Sequence, residues 1–75
     1  MNTKEMVDAF IDKGISIRSI ADKAQLNKIT IVSLRKGAKI SQKSEIKIEK
    51  ALREIALELY AITQSIIIDD IQPID

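Results

Sequence analysis

"IRSIADKAQLNKITIVSLRKG", residues 17–37, decides how this chain is read. Small and apolar residues recur in it at helical spacing: Ile20, Ala21 and Ala24, then Leu26, then Ile31 and Leu34. That spacing predicts two short amphipathic helices joined by a tight turn. Ser16 is placed to cap the first helix and Asn27 the second, because short polar side chains accept hydrogen bonds from the free amides of a first turn. Ile15 with Ile20, and Leu26 with Ile31, stand in hydrophobic-staple positions. Gly37 ends the second helix. "KITIVSL" is rich in β-branched residues that also favour strands, but the Asn27 cap and the Gly37 stop weigh it towards helix. The outward side of the first helix carries Arg18, Ser19, Asp22 and Lys23. The outward side of the second shows two apolar residues, Ile29 and Val32.

On the N-terminal side, Asn2 or Thr3 can cap another helix, and Asn2 with Glu5 matches a capping box. Met6, Val7, Phe10 and Ile11 then recur at helical spacing up to Gly14. On the C-terminal side, from Ser41, the pattern becomes a heptad stripe of Ile48, Leu52, Ile55, Leu59, Ile62 and Ile66, spaced four-three with no Gly or Pro before Pro73. Such a stripe runs roughly 27 Å at 1.5 Å per residue. Ala51, Ala56, Leu57 and Tyr60 widen it beyond one face, so it calls for more than one neighbour. Two readings follow: Ile55, Leu59, Ile62 and Ile66 form a dimer or partner interface, or the segment folds back over the first helix as core. The tail "SIIIDDIQPID" reads as a helix end or a short strand, with Ile66–Ile68 expected to pack against something.

Seventy-five residues make one small domain, which buries only about 60% of its unfolded surface. The fold expected is all-α: four to five helices, with the paired-helix core in residues 1–53 and a long C-terminal helix and tail in 54–75. There is no Cys and no His, which removes disulfides, zinc-finger spacing and the usual nucleophile and imidazole base. No signal-peptide pattern and no spanning apolar run is read, so the expectation is a cytoplasmic protein without a membrane partner. With Phe10 and Tyr60 the only aromatics, base stacking on aromatic platforms is not expected.

The formal charge of +1 hides a polarity. Residues 1–53 hold all 12 Lys and Arg against six acids, while residues 54–75 hold five acids and no base. Between Lys23 and Lys43 there are six positive charges and no negative one. A basic side facing a polyanion, with an acidic end kept away from it, would account for this.

Residues 17–36 resemble, without a gap, the helix-turn-helix of the bacteriophage repressor and Cro family. "FIDKGIS" is similar to that family's first helix and "ISQKSEIKIEKAL" to its next core helix, so the likeness spans residues 6 to about 53. Ala21 stands where two crossing helices come closest and a larger side chain would part them. The family most often has Gly at the position of Gln25, where the backbone turns left-handed; another residue there costs about a kcal/mol.

The resemblance implies that the second helix of the motif enters the major groove while the first lies across the backbone. The implied base contacts are Asn27, Lys28, Ile29, Val32, Ser33 and Lys36. Lys28 could donate to guanine and Ser33 to most edges, while Ile29 and Val32 would meet thymine methyls. Arg18, Ser19, Lys23, Lys39 and Lys43 would meet phosphates, with the N-terminal amides of both helices. Singly, each such cation is also ordinary solvated surface, and Ile29 and Val32 could instead be buried against another segment.

The function expected is a sequence-specific, repressor-like transcriptional regulator. Its expected partners are double-stranded DNA and a second copy of the chain, on a pseudo-palindromic operator in a bacterial or phage setting. The alternative is a protein-interaction module, an antirepressor or antitoxin that binds a partner through Ile29 and Val32 or through the C-terminal tail. Pairs such as Glu45 with Glu49 and Glu54 with Glu58 sit among Lys47, Lys50 and Arg53 as i, i+4 surface patterning, so no enzyme, metal or cofactor is expected.

Overall fold

A computed structural model describes residues 1–71, with side chains described as far as Gln64. Four helices are present in that span: α1 (Thr3–Asp12), α2 (Ile17–Ala24), α3 (Lys28–Arg35) and α4 (Gln42–Ile71). No strand occurs among the described residues, and the β-branched "KITIVSL" is helical. Each helix opens on a side-chain cap. Asn2 Oδ1 accepts from the Glu5 amide at 2.8 Å, Ser16 Oγ from Ser19 at 3.0 Å, Asn27 Oδ1 from Ile29 at 2.9 Å and Ser41 Oγ from Ser44 at 3.1 Å.

The first three helices close by one shared device. A residue with positive φ follows the last turn, and the residue after it donates back five positions: Ile15 to the Phe10 carbonyl, Leu26 to Ala21, Ala38 to Ser33. This is the Schellman arrangement, and the left-handed residues are Gly14 (φ 102°), Gln25 (φ 57°) and Gly37 (φ 95°). The chain thus uses glycine twice and tolerates glutamine once. Ile15 and Leu26, which follow two of these stops, are half-buried against the core.

The core joins all four helices. Val7 of α1, Ile20, Ala21 and Ala24 of α2, Ile31 and Leu34 of α3, and Ile48, Ala51, Leu52 and Ile55 of α4 form one buried cluster. Ile20, Ile31, Ile48 and Val7 are its largest fully buried side chains, each contributing roughly 1.5–3 kcal/mol by leaving water. α4 packs against α1 and α2, and α3 against both of them. Thr3, the one buried polar residue among those described, directs its hydroxyl to Glu49 Oε1 on α4 at 3.5 Å.

α4 outruns this core. The helix is unbroken across residues 53 and 54, the expected division of the chain, and Ile55 beyond that point is still core. From Ile55 to Ile71 it then continues for about 24 Å at 1.5 Å per residue. A compact chain of this length would have a radius of gyration of about 11 Å; the value here is 15.3 Å. The heptad stripe accordingly divides. Ile48, Leu52 and Ile55 close the core of their own chain, which removes Ile55 from the interface expected of it. Leu59 and Ile62 are exposed, at 46% and 56%. Ile66–Ile68 lie in the helical span, but their side chains, like residues 72–75 altogether, fall outside the described residues.

Candidate nucleic-acid interface

α3 turns Ile31 and Leu34 into the core and is left with a solvent side made by Lys28, Ile29 and Lys36. Ile29 stands opposite the buried pair and is 66% exposed, an aliphatic side chain held in water on a helix with a fixed backbone. Val32 and Ser33 are half-buried on the two flanks. Val32 therefore departs from the outward placement expected for it. It lines a shallow cleft with Ile17 at the start of α2, Arg35 on α3, Lys36 just after it, and Asp8 on α1. Asn27 is exposed at the entry to α3, but its Oδ1 is engaged by the Ile29 amide, which leaves its amide nitrogen as the free donor.

The candidate phosphate contacts fall into separate places. Arg18 and Ser19 are exposed on the first turn of α2, where the Ser16 hydroxyl donates to Ser19 Oγ at 2.9 Å. The Ser16 and Asn27 caps occupy the Ser19 and Ile29 amides, so those two no longer donate to an incoming phosphate. Lys39 and Lys43 are exposed after α3, with Lys39 beside Lys4 and Glu45. Lys23 belongs elsewhere. It lines a cleft between α2 and α4 with Gln25, Lys47, Lys50 and Glu54, and its ammonium is paired with Glu58. That hydrogen bond raises the Lys23 pKa above the ordinary lysine value, so its charge is matched within the chain.

Two residues enter the site that the sequence reading did not single out. Arg35 donates from Nε to Asp8 Oδ1 at 2.8 Å, and Lys4 donates to Asp8 Oδ2 at 3.0 Å. The two bonds hold the Asp8 carboxyl below the usual carboxylate range, the one from Arg35 contributing most. Arg35 is thereby fixed beside Lys36 with the far end of its guanidinium unspent by that bond. Only the pairing of α1 with α3 brings positions 8 and 35 together, and no local pattern in the sequence reports that.

Along α3 and its exit, then, Lys28, Arg35, Lys36, Lys39 and Lys43 supply positive charge, with Asp8 engaged by Arg35 and Lys4 and with Glu45 beside Lys39. Among the described residues no group of acidic side chains could hold a metal ion, and no helix is long and apolar enough to cross a membrane. No family model matches the chain, and neither a curated protein nor a solved structure matches it.

Proposed function

We propose that this chain is a sequence-specific DNA-binding regulator of transcription, repressor-like, which uses residues 17–36 as a helix-turn-helix and acts as a dimer on a pseudo-palindromic operator. The observation that carries this reading is the division of α3. Ile31 and Leu34 anchor it in the core, and Lys28, Ile29 and Lys36 project from it within a run that holds six cations and no acid between residues 23 and 43. In that reading α3 lies in the major groove, with Lys28 and Ser33 donating to base edges and Ile29 against thymine methyls. Lys36 reaches a base edge from the end of the helix, and Lys39, Lys43, Arg18 and Ser19 meet phosphates. Occupancy of the operator blocks polymerase, and no catalytic step or cofactor enters. A cytoplasmic location, bacterial or phage-encoded, belongs to the same proposal. The test is a gel shift with the DNA flanking the chain's own gene, repeated across a salt series. Retarded complexes that dissolve steeply with salt support the reading, and a flat response overturns it.

One observation favours a second reading. Ile29, at 66% exposure on a rigid helix, equally suits an apolar groove on a protein partner, as an antirepressor or antitoxin would need. If Ile29→Ser abolishes activity while Lys28→Ala and Lys36→Ala leave it intact, the protein-binding reading replaces the DNA one.

A further inference from the structure

The cleft at the exit of α3 holds more positive charge than the chain itself matches. Asp8 is the only carboxylate among the residues that line it, and that carboxylate also accepts from Lys4. Lys4, Arg35 and Lys36 therefore stand as three cations around one acid. Arg35 commits only its Nε to Asp8, at 2.8 Å. A guanidinium has five N–H donors, so four remain on its two terminal nitrogens. Among the described residues no other acceptor engages them.

We infer that this cleft is a phosphate clamp, in which the two terminal nitrogens of Arg35 grip one phosphate group and Asp8 positions the guanidinium for it. Two parallel N–H bonds to a phosphate need a planar fork held at a fixed angle. A loose arginine has to be ordered before it can make them. Arg35 is ordered already, because Asp8 holds its Nε and Lys4 holds Asp8. Asp8 is thus a positioning residue and meets no ligand itself. Ile17 and Val32 wall the cleft and are half-buried, as Arg35 is. Such apolar surroundings thin the water around the fork and strengthen a charge-assisted bond. Val32 thereby gains a part in binding without a base contact. Lys36, exposed at the rim, adds attraction for an anion. A small-molecule site encloses most of its ligand, whereas this cleft is shallow. It suits a phosphodiester on a DNA strand that passes over the surface.

This inference rests on the DNA reading and deepens it, adding a phosphate contact beyond Arg18, Ser19, Lys39 and Lys43. A free phosphate is the other source of the same chemistry. The Nε–Hε resonance of Arg35 in heteronuclear NMR spectra of the unaltered chain, identified by its absence from Arg35→Gln, separates the two. A saturable shift on adding a nonspecific duplex supports a DNA strand in the clamp. A saturable shift with inorganic phosphate, and no binding of duplex, supports a free phosphate there and removes the DNA reading. Duplex binding that leaves the resonance unmoved overturns the clamp and keeps the DNA reading. No response to either overturns both.

A salt series on the same duplex supplies the second measurement, with circular dichroism to show that each variant is folded at the assay temperature. Arg35→Gln should lower the slope of log K against log salt by about 0.9, the share of one phosphate. It should also weaken binding alike on every sequence. Asp8→Ala separates aim from charge. It removes an acid from the cleft, so charge alone would tighten binding, whereas loss of aim should weaken it by up to about fivefold. Asp8→Asn keeps an acceptor for Nε and should recover part of that loss. Tighter binding by Asp8→Ala overturns the positioning role, and an unchanged slope in Arg35→Gln overturns the clamp.

Discussion

Arg35, in the last turn of α3, reaches across to α1 and places its Nε 2.8 Å from Oδ1 of Asp8, a residue 27 positions earlier. The bond fastens the end of the candidate recognition helix to the body and sets the guanidinium at the mouth of the cleft lined by Val32 and Lys36.

Asp8 therefore gives stability a defined dependence on acid. Its pKa in the folded chain lies below the value it has unfolded, first through Arg35 and then Lys4. Its contribution is present above the unfolded pKa of about 3.9 and is lost as pH falls through the folded value. Thermal melts of the unaltered chain and of Asp8→Asn should differ at neutral pH, the variant melting lower, and should converge as pH falls through the lowered folded value.

Gln25 holds φ 57° and ψ 43°, a left-handed conformation in which a side chain is strained by roughly 1–2 kcal/mol. Gln25→Gly relieves that strain but loosens the unfolded chain, for a net stabilisation of about 0.5–1 kcal/mol. The melting temperature should rise by about 2–8 °C. A lower melting point would mean that the glutamine side chain itself contributes to the turn.

The two sides of α3 should respond oppositely to truncation. Ile31→Ala empties a fully buried site and should destabilise by about 2–5 kcal/mol, enough to unfold much of so small a chain. Ile29→Ala should stay within about 0.5 kcal/mol. Ala21→Leu, at the close approach of α2, should overpack and cost about 1–3 kcal/mol. Urea denaturation followed by circular dichroism reads all three.

In the DNA reading, each cation that meets a phosphate adds about 0.9 to the slope of log K against log salt. Lys39→Ala and Lys43→Ala should each lower that slope by about one unit of phosphate and weaken binding alike on every sequence. Lys23→Ala should change it little, since Glu58 already pairs that charge. Lys28→Ala should instead relax base preference, by about 1–3 kcal/mol at one position. Gel shifts on matched and mismatched operators separate these effects.

Local chemistry was legible in the residues themselves. The caps at Asn2, Ser16 and Asn27 and the stops at Gly14 and Gly37 are written in single positions, and the structure uses each of them. So were Ile20, Ala21, Ala24, Ile31 and Leu34, whose spacing alone names the buried face. What escaped depends on tertiary contact. Val32 lies on a flank of α3 that Ile17 closes, and periodicity along one helix carries nothing about its neighbour. Thr3 is buried because α4 passes over it, and Lys23 is matched by a glutamate 35 positions away. The continuation of α4 to Ile71 was undecided because its last turns are β-branched, and propensity is weak against the extension of a helix already nucleated.

The unbroken course of α4 makes the helix a gauge of both distance and angle. Length and direction cannot then be altered independently. Removing one residue between Ala56 and Leu59 would shorten the rod by only about 1.5 Å but swing everything beyond it through about 100°. Leu59 and Ile62 would leave the face they share with Ile48, while the core that ends at Ile55 kept every one of its contacts.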